Sequence, residues 1–538
     1  MAHSIINLAR LAKAGFVLAQ HGVRLVPDGL KLPPPVKLAL AATWPIRVLS
    51  APFHWGKKPT ARIASALNSL GPSYIKLGQF LGTRADIIGP RLASELSQLQ
   101  DRMPPFSMAE ANRAVEDALG GRLTDHYAAF SAPIAAASIA QVHKAETRDS
   151  GLSRTVAVKI LRPGVERRFK ADLDSYYFAA TQIERFYAPS RRLRPIAVVD
   201  NLKRTTELEL DLRLEAAAIS EMADNIRGDK PRPGEGAGFR VPTVDWRRTQ
   251  KRVLTIEWID GIPISDHDQL KARGFDLKAL GLTVLRAFLT HAMRDGFFHA
   301  DMHQGNLLVD AEGRVVAVDF GIVGRLGPRE RRFLAEILHG LITRDYRRAA
   351  AIHFEAGYVP PHHSIDVFAQ AMRAIGEPIH GRTANEISMA DLLGQLFAYT
   401  EVFDMETRPE LILLQKSMVI VEGVARSLDP SLNLWSAAEP IAKEWMETNL
   451  GVAGRLREAG EGASELAKVL GEAPVLLAQA ERMVVAIATM ARDGVRVDAN
   501  TMQRIADTDE RQNRWSTRAL WLGAASLAAI AARQIGWI

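Results

Sequence analysis

The stretch His299–Gly321, HADMHQGNLLVDAEGRVVAVDFG, constrains this chain more than any other part of it. It sets Asp301, Asn306 and Asp319 around a short hairpin whose strands are expected at Leu307–Val309 and Val315–Val318. Two carboxylates and an amide in that layout suit phosphoryl transfer. One carboxylate accepts or orients the proton of a nucleophile, while an amide oxygen and the second carboxylate hold Mg²⁺ against nucleotide phosphates. Taken singly, each residue is uninformative, because Asp and Asn populate turns for backbone reasons. Joined as D-x-x-x-x-N, hairpin and D-F-G, they are specific.

With 538 residues the chain has the length for about three domains, and its 47% hydrophobic and 24% charged content is that of a globular protein. It contains no cysteine, which excludes disulfides, thiolate metal sites and a cysteine nucleophile, and fits a reducing compartment. The net charge of +7 suits an anionic membrane or a polyphosphate ligand. No zinc-finger or RNP-type signature is present, so no nucleic-acid partner is expected.

The two ends suggest membrane contact. Ile5, Ile6, Leu8, Leu11, Phe16, Leu18 and Val23 alternate with Arg10, Lys13 and Arg24, and no acid precedes Asp28. Residues 1–27 therefore read as a basic amphipathic helix suited either to an anionic lipid surface or to packing on its own domain. At the other end, Ala519–Ala532 is an uncharged run behind Arg511, Arg514 and Arg518. Fourteen residues cover about 21 Å, so spanning a ~30 Å hydrocarbon core requires the whole tail to Ile538. The three arginines place the catalytic portion on the cytoplasmic side.

Between the ends, a helical pattern runs from Thr60 to about Gln100 and contains Lys76, Gly78 and Gln79. A nucleotide site is expected to begin near Ile134. Ala135, Ala136, Ala137, Ser138, Ile139, Ala140, Gln141, Val142 and His143 join two strands, with alanines where a phosphate-covering loop usually has glycines. Each Cβ discourages positive φ, so this loop is expected to be stiff. A third strand, Thr155–Ile160, carries Lys159, which reaches α- and β-phosphate oxygens if a carboxylate on a nearby helix holds it. Pro163 is expected at N1 of a helix to about Tyr187, and a second helix runs from Pro195 to roughly Ile226. That second helix bears Glu209, Asp211 and Glu215; one of these acids can pair with Lys159 while the others face elsewhere. Strands at Arg240–Val244 and Val253–Trp258 lead to Asp260-Gly261, a hinge where backbone groups of Glu257 and Ile259 can contact adenine. An apolar helix from about Asp276 to Arg294 precedes the catalytic stretch, and Pro328 to about Glu447 is helical.

Lys76-x-Gly78-Gln79, the A-A-A-S-I-A-Q-V-H loop, V-A-V-K-I, Glu209-x-Asp211, H-A-D-M-H-Q-G-N and D-F-G together resemble the UbiB family of atypical kinases over nearly the whole chain. The resemblance implies an α+β, two-lobed protein-kinase-like fold with an N-terminal helical extension and a C-terminal membrane tail. It makes Lys159 the nucleotide-contacting lysine with Glu215 as partner, Asn306 and Asp319 the metal ligands, and Asp301 the catalytic-loop acid. It also implies that the Lys76 helix docks over the site, with Lys76 facing Glu209 and Asp211, where a protein substrate would otherwise lie. ATPase behaviour with ATP/ADP and Mg²⁺ as ligands, and an ATP-dependent role in ubiquinone assembly, go with it. The implied partners are membrane lipids, prenylated quinone precursors and ubiquinone-biosynthesis enzymes, at the bacterial inner membrane. HAD in place of HRD removes the arginine that reads a phosphorylated activation loop.

The corresponding division of the chain is 1–59 membrane-proximal, 60–130 helical extension, 131–262 N-lobe, 263–450 C-lobe, 451–510 linker and 511–538 anchor. Two further functions fit the same motifs: a small-molecule phosphotransferase, and a non-catalytic nucleotide-gated scaffold for lipid-modifying enzymes. A direct hydroxylase does not fit, because neither a flavin fingerprint nor a metal triad is visible.

Overall fold

The structure is a computed structural model that describes residues 2–23, 59–82, 103–149, 153–186, 194–381, 402–405 and 409–450, with residues 88, 92, 95, 96, 191 and 399 between them. The expected linker and the apolar tail lie outside the described residues. Among those residues, no helix is long and apolar enough to cross a membrane.

The described residues of the N-terminal extension include α1 (Ala2–Gln20), α2 (Pro59–Leu70) and α3 (Pro72–Gly82). Helix α4 (Met108–Leu119) is started by a reciprocal capping box, in which Ser107 Oγ accepts from the Glu110 amide and Glu110 accepts from the Ser107 amide. An antiparallel sheet in the order β1-β2-β3-β5 follows, from β1 (Tyr127–Ala136), β2 (Ala140–Thr147), β3 (Thr155–Leu161) and, later in the chain, β5 (Val253–Glu257). Ala111 and Val115 of α4 bury one face of that sheet against Tyr127, Val156, Val158 and Val253, so this part of the 60–130 stretch goes with the sheet.

Between β3 and β5 the chain makes α5 (Val165–Phe186), α6 (Pro195–Glu209) and α7 (Leu212–Asn225). Two expectations are corrected. Helix α5 starts at Val165, so Pro163 sits in the preceding turn rather than at N1. The single helix expected from Pro195 to Ile226 is broken at Leu210–Asp211, because the Asp211 carboxylate accepts from the Arg213 amide and starts a new helix. Leu173 and Tyr176 of α5 and Val199 and Leu202 of α6 form a separate core with Ile63, Leu67, Tyr74 and Ile75 of the extension.

The C-terminal lobe begins with β4 (Phe239–Arg240) and β6 (Ile262–Pro263), which join β8 (Leu307–Val309) and β9 (Val315–Ala317) in the order β4-β9-β8-β6. At Gly261 a Cβ would lie 3.0 Å from the Val309 carbonyl oxygen, so a side chain there would press on the catalytic hairpin that the hinge approaches. Helix α8 (Leu277–Thr290) is capped by Asp276 and ends in a π turn over His291–Asp295. Strand β7 (Phe297–His299) pairs with β10 (Val323–Arg325), closing the loop that carries D-F-G. Helices α9 (Pro328–Ile342), α10 (Tyr346–Glu355), α11 (Ile365–Gly381), α12 (Pro409–Leu428) and α13 (Leu434–Leu450) complete the described lobe.

Candidate nucleotide site

Strand β3 sets a cation, Lys159, among buried aliphatic residues. Lys159 Nζ lies 2.9 Å from both carboxylate oxygens of Glu215 in the first turn of α7. It is also 2.9 Å from Asp319 Oδ1, a residue 160 positions later in the sequence. Burial disfavours the Lys159 ammonium, but the Asp319 and Glu215 carboxylates outweigh it and hold the lysine protonated. Burial pushes the Glu215 carboxyl up to about 7 despite Lys159. The cleft walls also disfavour charge on Asp319, yet the Lys159 ammonium holds that carboxyl well below the usual carboxylate range. Two carboxylates around one ammonium leave an excess negative charge that suits a cation. Asp319 sits at φ 61, a left-handed conformation uncommon outside glycine.

Asp301 and Asn306 are placed by backbone bonds. The Asp301 amide donates to His299 Nδ1 at 3.1 Å, and His299 Nε2 donates to the Val318 carbonyl at 3.3 Å. One ring therefore joins the catalytic loop to the residue before Asp319. His299 is buried, its ring centroid 4.5 Å from that of Phe320, and burial holds its pKa below the ordinary value, in keeping with a neutral ring. Asn306 Nδ2 donates to the Asp301 carbonyl at 3.0 Å, so its amide oxygen is the end left for a cation. Ser417 of α12 is also buried and donates to the Ala300 carbonyl at 3.0 Å. Sequence reading missed His299 and Ser417 as positioning residues; the histidine beside Asp301 was the available signal, whereas Ser417 gave none.

The alanine-rich loop is shorter than the sequence suggested. Ile134, Ala135 and Ala136 belong to β1, while Ala140, Gln141 and Val142 belong to β2, leaving a tight turn at Ala137-Ser138-Ile139. The Ala137 amide donates to the Ala140 carbonyl at 2.8 Å. Arg162, just after β3, secures the turn: its guanidinium donates to the Ala137 carbonyl, at 3.0 Å from Nε, and its amide donates to the Ile139 carbonyl at 2.8 Å. Ala135 pairs with Val142 and Val142 with Lys159, so these three share the cleft face of the sheet. Ala136 and Gln141 pair on the other face. Gln141 is fully buried and its Oε1 accepts from the Phe106 amide at 2.9 Å. At the hinge, the Glu257 amide donates to the Thr243 carbonyl at 2.8 Å and its carboxylate takes Arg240, so its own carbonyl is what it can offer adenine. Ile259 is buried beside Gly261.

A family model described as the ABC1 atypical kinase-like domain matches residues 98–353, and one described as the UbiB helical domain matches residues 372–433. "Probable protein kinase UbiB" of Marinobacter nauticus is 38% identical over 460 residues, covering 84% of this chain and 81% of that protein. The chain belongs to the UbiB family of atypical kinases. The solved complex of Rv3197 with erythromycin from Mycobacterium tuberculosis is similar at 24% identity and a TM-score of 0.46, covering 75% of this chain and 98% of that one.

In this UbiB-family chain an ion pair links the early motif to the end of α6. Lys76 Nζ lies 2.6 Å from Glu209 Oε2, with both side chains largely buried. Gly78 is buried and Gln79 is half-buried on the same helix. Asp211 caps α7 and takes the Arg213 guanidinium at 2.6 Å. Glu209 ends α6 and Glu215 lies in the first turn of α7, so the Lys76 contact adjoins the break that sets the orientation of Lys159's partner.

Proposed function

We propose that this protein binds Mg-ATP in the cleft between its two lobes and turns it over as an atypical kinase or ATPase. The observation that carries the reading is Lys159 Nζ at 2.9 Å from both Glu215 and Asp319, which joins β3, α7 and the D-F-G loop at one point. Asp319 and the Asn306 amide oxygen form a hard oxygen donor set that fits Mg²⁺, and a bound ion would neutralise phosphate charge there. Lys159 then contacts α- and β-phosphate oxygens, with Glu215 fixing its position. Ala135 and Val142 form the roof over the base, while the Glu257 carbonyl and the Ile259 backbone face its edge. Asp301 orients the attacking hydroxyl or water and takes its proton.

The family membership and the sequence resemblance support a role in ubiquinone biosynthesis, through ATP-dependent action on prenylated quinone precursors or on the enzymes that modify them. They also support work at the bacterial inner membrane, with the kinase-like lobes on the cytoplasmic side. The Lys76 helix favours hydrolysis over protein phosphorylation by filling the approach a protein substrate would need. Nucleotide turnover by purified protein, with and without liposomes and a prenylated phenol, tests this: stimulation by both is expected. Turnover indifferent to both, or unchanged quinone levels after loss of the gene, would count against it.

A further inference from the structure

Away from the cleft, a cavity of about 510 Å³ opens where α1, α3 and the start of α5 meet. Its lining includes Arg10 and Lys13 of α1, Tyr74 of α3, and Arg167 and Arg168 of α5, with Asp172 as the one carboxylate among the lining residues. Asp172 already accepts from Ser73 Oγ. Two of the cations are partly committed: Arg10 Nη1 donates to the Ala171 carbonyl at 2.6 Å, and Arg168 Nη2 donates to the Leu70 carbonyl at 2.6 Å. That second bond needs Gly71, at φ +106, because a Cβ there would strike the Arg168 guanidinium. Each guanidinium has five N–H donors, so both keep others to offer. Lys13 and Arg167 form no ion pair among the described residues.

Four cations around one already bonded carboxylate give the pocket a net positive charge that attracts an anion. A single carboxylate is too weakly charged to balance such a lining, whereas a phosphate ester or diphosphate carries the charge and the several acceptor oxygens that a ring of Arg and Lys binds best. The volume lies within the range of ordinary small-molecule sites. Helix α1 also exposes Ile6 and Phe16, with exposures of 50% and 46%, on the side of the helix that carries Lys13. Apolar side chains flanking a pocket cation are what a phosphate group carried on a hydrocarbon chain would meet.

We propose that this pocket is a binding site for a phosphate-bearing ligand, separate from the nucleotide cleft. The site takes the phosphate or diphosphate group itself, whether carried by a soluble molecule or by a lipid. Because Tyr74 and Leu70 belong to the extension that carries Lys76, an occupant ties α1 and α5 to the helix that contacts Glu209.

The test uses the full chain and two probes: inorganic pyrophosphate titrated by calorimetry, and phosphatidylcholine vesicles with or without phosphatidic acid in co-sedimentation. The comparison protein is the double variant Lys13→Gln/Arg167→Gln, which leaves the two carbonyl-bound arginines in place, and Lys13→Arg/Arg167→Lys is the charge-keeping control. At least about a tenfold loss of affinity in the Gln variant is expected, with the control close to wild type. Loss in the pyrophosphate arm assigns a soluble ligand, and loss confined to the phosphatidic acid vesicles assigns a lipid headgroup. If the double variant does not fold, Arg167→Gln alone replaces it. Equal binding by wild type and a folded Gln variant in both arms overturns the proposal. Neither readout uses nucleotide turnover, so failure here leaves the ATP reading standing.

Discussion

Asp319 shows how much one residue is asked to do. Its φ of 61 costs on the order of 1–3 kcal/mol in a non-glycine residue, and that cost is carried where the carboxylate meets Lys159. Asn tolerates the same backbone without the charge, so Asp319→Asn is expected to keep the melting temperature within a few degrees while nucleotide turnover falls by ~10²-fold or more. Asp301→Asn should behave differently, keeping Mg-nucleotide affinity and losing turnover, which equilibrium binding and steady-state rates separate. Glu215 supplies a pH signature. Its carboxyl is pushed from an ordinary 4.5 up to about 7, so the folded protein holds that proton more tightly than the unfolded chain. The resulting stability is complete below pH 4.5 and is lost as pH rises through about 7. Glu215→Gln should therefore raise the melting temperature of the nucleotide-free protein at pH 8 and change it little at pH 4, while weakening nucleotide binding.

Among the elements, those defined by local chemistry were legible and those defined by distant partners were not. The hairpin at Leu307–Val309 and Val315–Ala317 came from alternation between polar turns, and V-A-V-K-I placed Lys159 on a strand. Periodicity failed at Leu210–Asp211, where a helix pattern continues across a real break. The signal was an aspartate cap followed by an acid in the first turn, which outweighs the continuing apolar spacing. The Gln141 bond to Phe106 was not foreseen because nothing local reveals that partner, and Arg162 was overlooked because its bonds to Ala137 and Ile139 exist only once the turn has folded. Arg162→Ala should accordingly speed amide exchange across 137–140 without unfolding the sheet. The Lys76–Glu209 pair lies between the extension and α6, with exposures of 15% and 10%. Lys76→Ala leaves a largely buried carboxylate behind and is expected to cost on the order of 3 kcal/mol, read by denaturant unfolding.

At the scale of the whole molecule, His143 under β1, His299 between the catalytic loops and His353 in the helical lobe are buried in three separate parts of the fold. Burial holds each below its ordinary pKa. The unfolded chain takes up these protons first as pH falls, so stability present above about pH 6.5 is lost on acidification below it. The account stands or falls on one cleft assembled from β3, α7, the catalytic loop and D-F-G around a magnesium nucleotide. Titration of Mg-ATP against wild type, Lys159→Met and Asp319→Asn by calorimetry tests it most directly. One site per chain is expected in the wild type, with affinity at least about tenfold weaker in either variant, although the two residues lie 160 positions apart. Undiminished binding in both folded variants would contradict it.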